Sequence, residues 1–260
     1  MGRFEGKVVL VTGAGRGVGK AVSLAFAAEG ARVVVCARTE SYGQAVVEGI
    51  RAHGGQALLI GGDVGRREDV RAMVQAALDG FGALDVVVHC AADVAQGRIA
   101  QMDEVAFDRQ VHSNIHALFW LAKDSLPALS KSAGKGRLIY ISSAAGNKTF
   151  TPGLVGYGSS KAYMNAFARG LAQEAGPMNV LVNVVELGLI ASDRMREHLS
   201  DDLSGRIASS FPLRRVGRPD EIAAAVMFLA SDDAGYITGS SLLVDGGASM
   251  SPIAEFKDGI

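Results

Sequence analysis

The chain has 260 residues, a formal net charge of −1 and 48% hydrophobic residues. A charge so near zero gives no electrostatic reason to expect nucleic acid or an anionic membrane as a partner, and no apolar run is long enough to span a bilayer. The 33 glycines against 6 prolines, in so apolar a chain, indicate many tight strand–helix turns and exclude a disordered protein.

This length suits one α/β domain with a sizeable core. The N-terminus enters a strand almost at once and carries no signal-peptide pattern. Cys36 and Cys90 each close an apolar run and read as buried, reduced thiols of a cytosolic protein, so a cytoplasmic location is expected.

In chain order, Lys7 to Thr12 reads as a buried strand. Gly17 to Glu29 follows as a helix, with Val18, Val22, Leu24 and Phe26 at helical spacing and Gly30 as its C-terminal stop. Val33 to Ala37 is a second strand, Ser41 to His53 a helix, Ala57 to Ile60 a third strand and Arg66 to Asp79 a helix. Leu84 to Cys90 is a fourth strand, followed by one long helix from Asp103 to Leu129. Arg137 to Ser142 is a fifth strand, Tyr157 to Ala175 a helix, Val180 to Val185 a sixth strand and Leu242 to Asp245 a seventh. The alternation predicts an α/β fold: a doubly wound parallel sheet of seven strands flanked by helices on both faces, as a single domain over residues 1–260. Residues 189–212 follow the sixth strand at the edge that faces the ligand crevice of such a sheet. They are polar from Asp193 onward, and a substrate lid is expected there, with a plain surface helix as the alternative.

Two motifs carry chemistry. Gly13, Gly17 and Gly19 fall between a strand and a helix, where glycine permits positive φ and close backbone approach, and the helix N-terminus favours a phosphate. The spacing is G-x-x-x-G-x-G, and the reading is a dinucleotide cradle, against a merely structural turn. The second strand ends in Cys36-Ala37-Arg38-Thr39, without the acid that would take a ribose 2′-hydroxyl. Arg38, with Arg16 in the turn, suits a 2′-phosphate instead, so NADP(H) is expected in preference to NAD(H). The second motif is Tyr157 and Lys161, four residues apart on one helix face. Free tyrosine titrates at about 10, and a neighbouring ammonium favours its phenolate. A carbonyl that gains hydride must also gain a proton, and this pair can supply it.

With six motifs in order, the chain resembles the short-chain dehydrogenase/reductase family over nearly its whole length, in particular its NADP-dependent 3-oxoacyl-(acyl carrier protein) reductase-like members. The resemblance rests on Thr12 to Gly19, Asp63-Val64, Asn114, Ser143 to Gly146, Tyr157 to Lys161, and a tail of Pro212 to Ile222, Phe228 to Ser231 and Val244 to Gly247. It implies a Rossmann-like fold, a hydride transfer between a ketone and a secondary alcohol, and catalytic roles for Asn114, Ser143, Tyr157 and Lys161. It adds Val18, Thr39, Asp63, Val64, Cys90, Ala91, Ala92, Gly188 and Ile190 to the residues expected at the cofactor. It also implies a homotetramer built on the long helix and the one carrying Tyr157. The expected substrate is a small carbonyl or alcohol, including a thioester on a carrier. A sugar, polyol, steroid or other secondary alcohol is the second reading, and a catalytically silent NADP-binding sensor or scaffold a third. Residues 93–103, 147–156 and 189–211 would decide among substrates, and Arg98 is a candidate for a carrier phosphate.

The sequence departs from the family at several points. His89-Cys90-Ala91-Ala92 stands where the family has N-N-A-G, which is expected to alter a hydrogen bond supporting the catalytic helix and to add a methyl group beside the cofactor. Leu187-Gly188 replaces P-G, leaving the rigidity of that loop open. Glu186 reads as an exposed loop carboxylate, with a substrate contact as the alternative. Ser143 precedes Tyr157 by one residue more than is typical, and Ser142 fits the motif less well. His112 and His116 lie four apart, but no third ligand is evident and no metal is expected. Phe107, Phe119 and Trp120 on the same helix read as core or subunit packing.

Overall fold

The computed structural model describes residues 2–198 and 200–250. The first strand, β1 (Val8–Thr12), is wholly buried, as a run of Val-Val-Leu-Val-Thr requires when both faces of a sheet are covered. Its side chains alternate: Val9 and Val11 enter one core, Val8 and Leu10 the other. Six more strands join it: β2 (Arg32–Ala37), β3 (Gln56–Gly61), β4 (Val86–His89), β5 (Gly136–Ser143), β6 (Val180–Leu187) and β7 (Ser241–Val244). The order is β3-β2-β1-β4-β5-β6-β7, and every pairing is parallel.

Helices cover both faces. One core packs residues of α1 (Gly17–Ala28), α2 (Glu40–Ala52) and α9 (Pro219–Ala230) against the sheet. The other packs α3 (Arg67–Phe81), α5 (Ala117–Leu129) and α6 (Val155–Ala175). Between β4 and α5 runs α4 (Glu104–Val111), and after β6 come α7 (Asp193–His198) and α8 (Asp201–Ala208).

The chain winds outward from β1 to β3, then returns to place β4 on the other side of β1. That reversal opens a crevice at the carboxyl ends of β1 and β4, the usual ligand position in a doubly wound sheet.

Three elements differ from the sequence expectation. The long helix is interrupted by a π-helical turn at His112–His116. β6 continues two residues beyond Val185, because Glu186 and Leu187 pair with Leu243 and Val244 of β7. Glu186 is therefore not an exposed loop residue; it is 2% exposed within a strand. Finally, α9 is a helix that the strand-and-helix pattern did not mark. It begins with Pro219 in its first turn, and Glu221 accepts from the Arg218 backbone N–H at 2.8 Å.

Candidate active site

The glycine turn leaves β1 at Thr12. Gly13 has φ of 64°, and a Cβ on it would lie 2.8 Å from the Ala91 backbone. Gly17 has φ of 55°, and a Cβ on Gly19 would meet the Gly13 carbonyl oxygen at 2.2 Å. Side chains are thus barred by the chain's own packing, which leaves a shallow cradle of backbone at the start of α1. Such a cradle fits a pyrophosphate, with the helix N-terminus facing its charge.

The turn forms one wall of a cavity of about 480 Å³. Gly13, Arg16, Gly17, Val18 and Gly19 line it with Arg38, Thr39, Asp63 and Val64 at one end. Cys90, Ala91 and Ala92 line its floor, and Ser143, Tyr157, Lys161, Gly188 and Ile190 its other end. Asn114 is the exception among the expected site residues: it is fully buried behind that wall.

α6 positions Tyr157 and Lys161. Lys161 is 2% exposed, and its Nζ lies 5.7 Å from the centre of the Tyr157 ring. The ammonium donates to the Ile141 carbonyl at 2.8 Å, while Ser142 donates to the Lys161 carbonyl at 3.3 Å. Gly146 lets this happen, since a Cβ there would press on α6 at 3.0 Å. Ser142 is thereby committed to α6, and Ser143, partly exposed at the strand end, accepts from the Ala145 N–H at 3.2 Å. A phenol beside an ammonium, with a hydroxyl at the same end of the cavity, can exchange a proton with a carbonyl or alcohol oxygen.

The π turn carries Asn114 into the space between α6 and the loop after β4. Asn114 accepts from the Asp93 N–H at 2.9 Å and donates to the Asp93 carbonyl at 2.9 Å. It also donates to Ser160 at 3.0 Å, and Ser160 donates to the Tyr157 carbonyl at 2.7 Å. Gln110 accepts from the Ala95 N–H at 2.8 Å, and Arg109 holds the Asp93 carboxylate at 2.6 Å. The loop is thus fixed through Asp93 and Ala95. His89, the first of the positions that depart from the family, bonds Thr12 of β1 at 2.9 Å. Its Nε2 is buried without a partner, and burial first, then the Lys161 charge, pushes its pKa down to about 3. Cys90 is not fully buried in a strand; it lies just past β4 in the cavity wall, where desolvation pushes its thiol up to about 12 against the pull of Lys161.

At the opposite end, both arginines face acids. Arg38 lies 3.9 Å from Asp63, and Arg16 donates to Glu197 of α7 at 2.5 Å. The Arg16 guanidinium also sits 5.9 Å from the ring centre of Tyr42, which lines the cavity. Gln96, Ser192 and Met195 also line the cavity, within the segments expected to choose the substrate, while Tyr42 is a cavity residue that sequence reasoning missed. Tyr42 had a signal, its place in the first turn after Arg38-Thr39.

Glu186 accepts from Asn165 Nδ2 at 2.9 Å, one helical turn beyond Lys161. Glu186 Oε2 and Asn165 Oδ1 are both buried without a donor. Glu186 is not part of the cavity wall. His112 and His116 stack at 4.9 Å, and no group of three or more His, Cys, Asp or Glu is placed to hold a metal among the described residues. Nor, among them, is any helix long and apolar enough to cross a membrane.

Fold and cavity together define a dinucleotide-binding oxidoreductase of the doubly wound α/β type. A family model described as "Enoyl-(Acyl carrier protein) reductase" matches residues 13–249. The chain is 37% identical to the 3-oxoacyl-[acyl-carrier-protein] reductase FabG of Escherichia coli (strain K12), over 95% of this chain and 99% of that one. Its fold is similar to the crystal structure of a short-chain dehydrogenase from Burkholderia cenocepacia J2315 in complex with NADP, with a TM-score of 0.88, 30% identity, and 95% and 99% of the two chains covered. A 7α-hydroxysteroid dehydrogenase, complexed with NADH and 7-oxo glycochenodeoxycholic acid, superposes with a TM-score of 0.86 at 31% identity, over 94% and 95% of the chains. The chain belongs to the short-chain dehydrogenase/reductase family and is an NAD(P)-dependent oxidoreductase.

Proposed function

We propose that the protein is an NADP(H)-dependent reductase of ketones, with a 3-oxoacyl thioester as the leading substrate class. The observation that carries this reading is the polarity of the cavity: Tyr157, Lys161 and Ser143 at one end, Arg16 and Arg38 at the other. Gly13, Gly17 and Gly19 would cradle the pyrophosphate, Asp63 and Val64 would meet the adenine, and Arg16 with Arg38 would hold the 2′-phosphate. Bound NADP(H) supplies or accepts the hydride.

The remaining roles belong to the chain. Tyr157 gives a proton to the carbonyl oxygen on reduction and withdraws it on oxidation. Lys161, held on the Ile141 carbonyl, keeps a positive charge beside the phenol and favours its anion. Ser143 donates to the substrate oxygen and fixes its direction. Asn114 works as a positioning residue, since its amide is spent on Asp93 and Ser160. Residues 189–212 act as a lid, and residue 199 of that segment lies outside the described residues. A homotetramer in the cytoplasm completes the reading. The oligomer is supported by apolar residues left exposed on α4, α5 and α6: Val105, Phe119 and Tyr163.

A second reading, a dehydrogenase of bulky secondary alcohols, is favoured by the apolar wall of Val94, Leu154, Leu189 and Met195 near Tyr157 and by the 7α-hydroxysteroid dehydrogenase likeness. The deciding experiment follows reduced-nicotinamide absorbance with NADPH and NADH in parallel, against acetoacetyl thioesters, other ketones and alcohols. NADPH-dependent turnover of the thioester supports the first reading. Turnover confined to a steroid, sugar or polyol moves the protein to the second.

A further inference from the structure

The acid that the end of β2 lacks is supplied from elsewhere. Glu197, on α7, reaches the glycine turn across 181 positions of sequence and takes Arg16 Nη1 at 2.5 Å. The same guanidinium lies over Tyr42 in the first turn of α2, beside Arg38 and Thr39. The stem of this segment also touches the turn, since Ser192 Cβ would stand 3.3 Å from a Cβ on Gly17. One side chain therefore joins the segment over the cavity to the corner where a 2′-substituent would lie.

We propose that Glu197 is a specificity-determining residue for the cofactor: it competes with the 2′-phosphate for Arg16, so that binding of a 2′-phosphorylated dinucleotide releases α7 from the glycine turn. This rests on the NADP(H) reading above. A cofactor with a bare 2′-hydroxyl leaves the Arg16–Glu197 pair in place.

Magnitudes favour displacement. Arg16 and Glu197 are 41% and 50% exposed, and pairs of that kind contribute at most about 1 kcal/mol. A phosphate dianion takes the guanidinium fork with two parallel bonds and a larger charge. It cannot share that guanidinium with a carboxylate at low cost, because the two anions repel at contact distance. Competition of this kind is reciprocal: whatever the phosphate takes from α7, α7 takes from phosphate affinity.

The test uses the full chain, wild type and Glu197→Gln, with 2′,5′-ADP and 5′-AMP as probes that undergo no hydride transfer, and with NADPH and NADH. Dissociation constants come from calorimetry and cofactor fluorescence, and hydrogen exchange follows residues 193–198. The expected result is that Glu197→Gln tightens 2′,5′-ADP and NADPH by about 2- to 5-fold while 5′-AMP and NADH stay unchanged. In the wild type, 2′,5′-ADP speeds exchange in 193–198 and 5′-AMP does not; in the variant, exchange is fast with either. If wild type prefers 2′,5′-ADP but the variant shows no selective tightening, or binds it more weakly, the competition is overturned and the NADP(H) reading stands. If wild type shows no preference for 2′,5′-ADP over 5′-AMP, both fall together.

Discussion

The two ends of the cavity hold their charged side chains in opposite ways. At the catalytic end Lys161 is buried and rests on a neutral carbonyl, and around it Asn114, Ser160 and Ser142 bond to backbone and hydroxyl groups. At the adenosine end Arg16 and Arg38 are exposed and face carboxylates. A neutral carbonyl fixes position and is not exchanged for an incoming anion. An acidic partner cancels the charge and can be exchanged for a better anion. The first arrangement suits chemistry that must be repeated without drift, the second a ligand that must come and go.

The largest effect should come from the catalytic end. Tyr157→Phe should lower kcat by about 10²- to 10⁴-fold and leave cofactor affinity unchanged, as steady-state kinetics and a binding titration would show. Near-normal turnover would remove the distinction between the two ends.

The burial at the catalytic end should also show itself in acid. His89 is held near a pKa of about 3, below its ordinary 6.5, so the unfolded chain binds more protons between those values. Stability should therefore fall as pH drops from 6.5, by about 2 kcal/mol at pH 5 from this residue. Denaturant melts across that window should show a shallower pH slope for His89→Asn, which keeps a partner for Thr12. Equal slopes in both proteins would mean that His89 takes up its proton in the folded state.

The exchangeable end predicts selectivity in binding. Arg38→Ala should weaken NADPH about tenfold, the worth of one charge-assisted hydrogen bond, and leave NADH unaffected. A parallel loss for both cofactors would assign Arg38 to general packing. The smallest effect concerns Glu186. Glu186→Gln supplies an N–H for the Asn165 oxygen while its own oxygen still accepts, so thermal stability should hold or rise by up to about 1 kcal/mol. Glu186→Ala should lose about 1–3 kcal/mol in the same melt, because it strands the Asn165 amide.

Much of this was legible in the sequence because it depends on local rules. The buried strands announced themselves as apolar runs, the glycine turn through positions that only glycine can hold, and Tyr157 with Lys161 through helical spacing. What escaped depends on distant partners. Glu186 looked like a loop carboxylate until β7, more than fifty residues later in the chain, extended β6 past it. The His112–His116 stretch reads as ordinary helix, and only the bonds from Asn114 to Asp93 and Ser160 give the π turn a purpose. The pairing of Arg16 with Glu197 has no local signal at all. α9 is the instructive exception, since Pro219, Asp220 and Glu221 are an ordinary helix start that periodicity alone did not weigh.

The π turn also sets a rule for how this chain can change length. One residue of an α-helix is worth about 100° of rotation. The π turn takes up one extra residue within itself, so deleting a residue from 112–116 would restore a regular helix without that rotation and leave α4 in register with α5. Arg109 and Gln110 would still face Asp93 and Ala95, and Leu118 and Leu121 the core, but Asn114 would lose the bulged position from which it bonds Asp93 and Ser160. Descendants of this sequence should therefore gain and lose residues freely in exposed turns such as 147–153, and keep the count between Gln110 and Leu118 fixed.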